Sequence, residues 1–154
     1  MTPQILILKA NIEADRQDIE KLYRRLSTYG TGLDTQEQTI AASYYLNNLY
    51  SAFENICLNV AQTFENHIDD RSQWHAALLR RMTLDIPAIR PRLWSEDSYK
   101  ALNELRRFRH VFRHAYTIDL DSQRIAMVMA EAQSLQRLYP ADLEQFNRFL
   151  DSLR

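Results

Sequence analysis

Both glycines of this 154-residue chain stand almost together, at Gly30 and Gly32, and only four prolines interrupt the rest. Glycine and proline are the strongest breakers of regular structure, so a chain this poor in them has few places to turn. Long helices are the consequence. The first is predicted over about Pro3 to Tyr29, where Ile5, Ile12, Ile19, Leu22 and Leu26 form an apolar stripe. Asp34 and Glu37 have the spacing of a capping box that would open a second helix reaching about Asn66. Within it, Leu46, Leu49, Phe53, Ile56, Val60 and Phe64 recur three and four apart and mark a buried face.

A third helix is predicted from Gln73 to about Ile86, before Pro87 and Pro91 discourage continuation. Ser95 is placed to cap a fourth helix starting at Glu96. Asp121 to Leu138 and Pro140 to Leu153 supply two more, with Pro140 in the first turn of the last. No period-two strand pattern and no repeat intervenes. The expected fold is all-α, an antiparallel bundle of about five to six helices forming one domain over 1–154.

Net charge is only −1, which advertises no nucleic-acid or membrane partner for the chain as a whole. Its distribution is uneven. Residues 80 to 114 hold nine Lys or Arg against four acids, while the remainder holds ten against sixteen. A segregated basic region of this kind is a local anion-binding surface if the fold keeps it together. The single Cys57 allows no intrachain disulfide and reads as a small buried hydrophobe in a reducing compartment. The N-terminal residues lack a signal-peptide pattern, and no segment approaches the length of a membrane span. A cytoplasmic protein without membrane association is expected.

The basic region peaks in RRFRHVFRHAY, residues 106 to 116. On a helix, Ala101, Leu105, Phe108, Phe112 and Ala115 would share the core face, leaving Arg106, Arg107, Arg109, His110, Arg113 and His114 opposite. Charges of one sign at i and i+4 do not support one another, so an anion or an acidic side chain is expected against them. Part of the cluster is also explained by the helix dipole, which favours cations near the C-terminus. His110 and His114 are four apart, but no Cys or HExxH pattern accompanies them, and His67 and His75 lie in another segment. No metal site is expected. The aromatic residues Tyr44, Tyr45, Tyr50 and Phe53 read as core or dimer packing more readily than as a base-stacking platform.

Arg109, His114 and Tyr116 together fit the pattern R-x4-H-x-Y. With YYLNNLYSAFENIC on the second helix and ALNELRRFRHVFRHAY on the fourth, this stretch resembles HEPN-domain ribonucleases of the HepT toxin type over about residues 40 to 138. Many HEPN nucleases have Asn after the motif arginine, where this chain has His110. The resemblance implies a metal-independent endoribonuclease toxin without a cofactor, in a type VII-like toxin–antitoxin system. It further implies a homodimer, possibly within a larger hetero-oligomer, with motif residues of both subunits lining one cleft. Arg109 and His114 would then be catalytic, and Tyr116 the acceptor of AMP from an MntA-like nucleotidyltransferase antitoxin.

RNA cleavage requires a base, a proton donor and positive charge at the phosphorane, which histidine and arginine can supply. Arg109 can hold phosphate oxygens, while Arg106, His110 and Arg113 support or guide the RNA backbone. Five helical positions separate Arg109 from His114, a divergence of roughly 140° on an ideal helix. A distorted helix end or a partner subunit must bring them to one phosphate. Glu54, near the seam of the second helix, has two readings: a carboxylate at the seam that needs a cation, with Arg109 the candidate partner, or a simply exposed carboxylate. Two other functions fit the same residues. One is a non-catalytic HEPN subunit that binds nucleotide or docks a nucleotidyltransferase; the other is a general RNA-binding helical protein.

Overall fold

The computed structural model describes residues 1–29, 32–65, 74–114 and 120–153. Among these residues five helices form and no strand: α1 (Pro3–Ser27), α2 (Gln36–Phe64), α3 (Trp74–Arg81), α4 (Glu96–Arg113) and α5 (Ser122–Ser152). Thr2 caps α1 through its side chain, with Pro3 in the first turn, where a missing N–H costs nothing. At α2 the capping box is Thr35 with Gln38, one residue later than the Asp34–Glu37 spacing predicts. Gln38 Oε1 accepts the backbone N–H of both Asp34 and Thr35, so the amide satisfies two donors at once.

α2 is the central element and touches all four other helices. Tyr29 meets Tyr45 while Asp15 meets Asn55, so residue numbers on α2 rise as those of the first helix fall, the signature of an antiparallel pair. Most of the apolar stripe predicted for each helix is buried, with Leu46, Leu49, Phe53, Ile56 and Val60 wholly enclosed and Leu22 and Phe64 partly buried. Each such side chain contributes about 1.5–3 kcal/mol relative to exposure. Phe53 stands edge-on to both Trp94 and Tyr139, tying α2 to α5 and to the segment before α4.

Two boundaries differ from expectation for physical reasons. α3 stops at Arg81, short of Ile86, because the Met82 carbonyl accepts N–H groups from Leu93 and Trp94. The buried guanidinium of Arg90 then donates to the carbonyls of Arg81 and Leu84 at 3.2 and 3.1 Å, the former also accepting the Leu84 N–H, and closes the helix end from outside. Gln73, the expected start of this helix, lies outside the described residues. The second difference is at Pro140, which sits inside one continuous α5 and opens no new helix. Buried Tyr139 and Leu143 pack on either side of it. Asp142 also accepts hydrogen bonds from Ser95 and Ser98 at the start of α4, so tertiary anchoring carries the helix past the missing N–H.

No helix among the described residues is long and apolar enough to cross a membrane.

Candidate functional site

α4 is capped by Ser95, which accepts from the Ser98 N–H, and it carries Glu96 and Asp97 in its first turn and His110 and Arg113 in its last. This charge order suits the helix dipole at both ends. Ala101, Leu105 and Phe108 are buried and Phe112 partly so, which fixes the rotation of the helix about its axis; Ala115 lies outside the described residues. The opposite face then presents Arg106, Arg109, His110, Arg113 and His114. With His75 and Ala76 of α3 these residues line a concavity of about 340 Å³. Arg107 turns away into a second, more apolar concavity of about 370 Å³ between α4 and α5, lined by Phe108, Val111 and Ile125 among others.

Three basic side chains of the polar concavity, Arg109, Arg106 and His114, have distinct supports. Arg109 Nε donates to Ser51 Oγ of α2 at 3.0 Å, and that hydroxyl donates onward to the Asn47 carbonyl at 3.1 Å. Arg106 Nε donates to Asn103 Oδ1 at 3.0 Å. His114 donates from Nδ1 to the His110 carbonyl at 2.8 Å, and the two imidazoles lie 4.6 Å apart. His114 is the cap of α4, with φ −107° and ψ 5°, and its N–H reaches the Val111 carbonyl in a tightened last turn. The helix therefore leaves ideal geometry where Arg109 and His114 need it to, and both line the same concavity.

Glu54 is buried, which settles it against the exposed alternative, and its partner is His75 and not Arg109. Its Oε2 accepts from His75 Nδ1 at 2.7 Å. Ser51 stands one turn before Glu54 on α2, and the register of α4 brings Arg109 to that hydroxyl; α3 meanwhile lays His75 over the carboxylate. The His75 ring is further held by Trp74, centroid to centroid 3.8 Å. His75 is the site residue that the sequence reading passed over. Its one sequence signal is indirect: Glu54 sits on a buried face and must have a partner.

Beneath the site, Tyr50 and Phe53 are core residues, Tyr45 is half-buried, and Tyr44 is exposed. Burial pushes the Tyr50 phenol far above its ordinary range; Cys57 and Glu54 add to that, and Arg106 and Arg109 oppose it. Tyr116 and His67 lie outside the described residues.

An arginine that offers its free guanidinium nitrogens, two imidazoles held by acceptors at Nδ1, and further arginines on one concave wall can bind a phosphodiester and move protons at it. A family model described as HepT-like protein matches residues 41–150, which spans α2 to α5 and every residue lining the concavity. The chain belongs to the HepT-like family of HEPN-domain proteins. No curated protein and no solved structure is a match for it. In this HepT-like protein the matched region leaves out α1, which supplies one wall of the core and no residue of the concavity.

Proposed function

We propose that this HepT-like protein is a metal-independent endoribonuclease toxin, working as a single domain over 1–154 in the cytoplasm. The observation that carries the reading is the shared lining of one basic concavity by Arg109 and His114. In the reaction, the 2′-hydroxyl attacks the adjacent phosphorus and the bond to the 5′-oxygen breaks. His114 moves a proton at this centre through Nε2, since its Nδ1 is committed to the His110 carbonyl. Arg109, oriented by Ser51, offers its terminal nitrogens to the phosphorane oxygens, where charge develops. Arg106 and Arg113 draw the flanking phosphates by charge, and His110 supports the ring of His114.

A homodimer would set two such concavities against one RNA and make the cleft composite, and the antitoxin would join it in a larger assembly. Regulation falls to Tyr116 as the acceptor of AMP from an MntA-like nucleotidyltransferase. Tyr116 follows His114 by two residues in the chain. An AMP group there would bring a phosphate to the arginines that otherwise hold RNA.

The reading is tested by induced expression in a bacterial host, alone and with the cognate nucleotidyltransferase. Wild type should arrest growth, Arg109→Ala and His114→Ala should not, and the partner should relieve the arrest except for Tyr116→Phe. Harmless wild type at the same protein level would favour the non-catalytic docking subunit.

A further inference from the structure

We propose that His75, held by Glu54, is the general base that takes the 2′-hydroxyl proton in this concavity, with His114 the acid that protonates the leaving oxygen. The assignment rests on the nuclease reading above and adds to it a residue outside the R-x4-H-x-Y pattern.

The two imidazoles are held alike. His75 Nδ1 lies 2.7 Å from a carboxylate oxygen of Glu54, and His114 Nδ1 lies 2.8 Å from the carbonyl oxygen of His110. Both oxygens are acceptors, so Nδ1 carries the hydrogen in each ring and Nε2 is left for substrate. Both residues line the same concavity. Transesterification needs two proton transfers at one phosphorus, one from the attacking oxygen and one to the leaving oxygen, and one protomer's concavity contains two rings with Nε2 open to perform them, His75 entering neutral and His114 entering as the imidazolium with a proton on each nitrogen.

The backing groups divide the roles. His75 has a carboxylate behind it whose side chain is 9% exposed, while its own is 35% exposed. A buried carboxylate fixes the ring's orientation and compensates the positive charge it gains on accepting a proton, as in serine hydrolases. His114 is backed by a neutral carbonyl. Among the described residues, the charged and titratable groups that share the concavity with His75 or pair with it are Glu54 from α2 and Arg106, Arg109, His110, Arg113 and His114 from α4. Glu54 is a positioning residue, since His75 stands between it and the concavity.

The step balances without a cofactor. His75 Nε2 takes the 2′-hydroxyl proton as the 2′-oxygen bonds to phosphorus. The bond from phosphorus to the 5′-oxygen breaks, and that oxygen takes the proton from His114 Nε2. The products are a 2′,3′-cyclic phosphate and a 5′-hydroxyl; His75 leaves protonated, His114 neutral, and water restores both.

The test begins by mapping a wild-type cut in total cellular RNA in EDTA. An oligoribonucleotide spanning that site is then made with either oxygen or sulfur at the 5′ leaving position, because a thiolate departs without an acid. His75→Asn keeps a donor for Glu54 and loses the base. It should fold like wild type by circular dichroism and cleave both oligonucleotides about 100-fold or more slowly. His114→Ala should be slow on the oxygen substrate and recover at least tenfold on sulfur relative to wild type. Glu54→Gln, which preserves shape, should lower the rate with little change in KM. His75→Asn within threefold of wild type would overturn the assignment while leaving the nuclease reading intact, and so would recovery of His75→Asn on sulfur. Wild type that cuts no RNA would remove the nuclease reading and this assignment together.

Discussion

Arg109 reaches from α4 to α2, where its Nε donates to Ser51 Oγ at 3.0 Å while the hydroxyl donates to the carbonyl of Asn47. The guanidinium is thereby fixed at one edge and free at the other. Ser51→Ala removes the anchor without touching the charge. A single hydrogen bond of this kind is worth about 1 kcal/mol, so RNA cleavage should fall roughly fivefold with stability nearly unchanged. Arg109→Lys keeps the charge but not the fork, and should lose far more. Steady-state cleavage rates with urea unfolding of each variant check both; equal losses for the two would contradict the anchoring role.

Among the described residues Arg90 is the fully enclosed cation. Its side chain is 0% exposed, it contacts Glu65 at 3.1 Å, and it satisfies carbonyls of Arg81, Leu84 and Pro91. Arg90→Ala leaves the buried Glu65 carboxylate with only Arg81 and should cost about 3–5 kcal/mol. Replacing both Arg90 and Glu65 by Met should recover part of that loss. Urea unfolding of the single and double variants measures it.

Much of this architecture could be read in the residues. Most of the apolar stripes of α1 and α2, and Ala101, Leu105 and Phe108 of α4, are buried as their periodicity requires, because burial on one helix face is a local property of spacing. Arg106, Arg109, His110, Arg113 and His114 gather for the same reason: once Leu105 and Phe108 face the core, the others cannot. What the spacing could not supply were contacts between helices distant in sequence. His75 is 21 residues from Glu54, and only the docking of α3 on α2 joins them. Pro140 was misleading in a related way, since local propensity says break and the anchoring of Tyr139 and Asp142 says continue.

Cys57 is 1% exposed, accepts the Trp94 indole N–H at 3.2 Å, and has its thiol pushed up to about 12 by burial. Iodoacetamide should leave the native protein unlabelled under conditions that label it fully in urea. Cys57→Ala strands the Trp94 donor and should cost about 1–3 kcal/mol without changing cleavage. Native labelling at the rate of a free thiol would contradict this placement.

Asp15 titrates against its surroundings. Burial raises its carboxyl above the ordinary carboxylate range, Asn55 pulls it back through two contacts at 2.9 and 3.1 Å, and Asp18 adds repulsion. A raised value in the folded state means that Asp15 favours folding most when protonated, below the unfolded value of about 3.9. That contribution is lost as pH rises through the folded value. Asp15→Asn does not titrate, so its stability should improve relative to wild type between pH 3.5 and pH 7. Urea midpoints at the two values check the sign; a fixed or falling difference would refute it.

The central claim is that Arg109 and His114 together cut RNA without metal. The measurement is cleavage of total cellular RNA in EDTA by purified wild type, Arg109→Ala and His114→Ala, each shown to be folded. The account predicts cleavage by wild type at an unchanged rate with and without EDTA, and losses of at least 100-fold in both variants. Cleavage that survives both substitutions, or that EDTA abolishes, would contradict it.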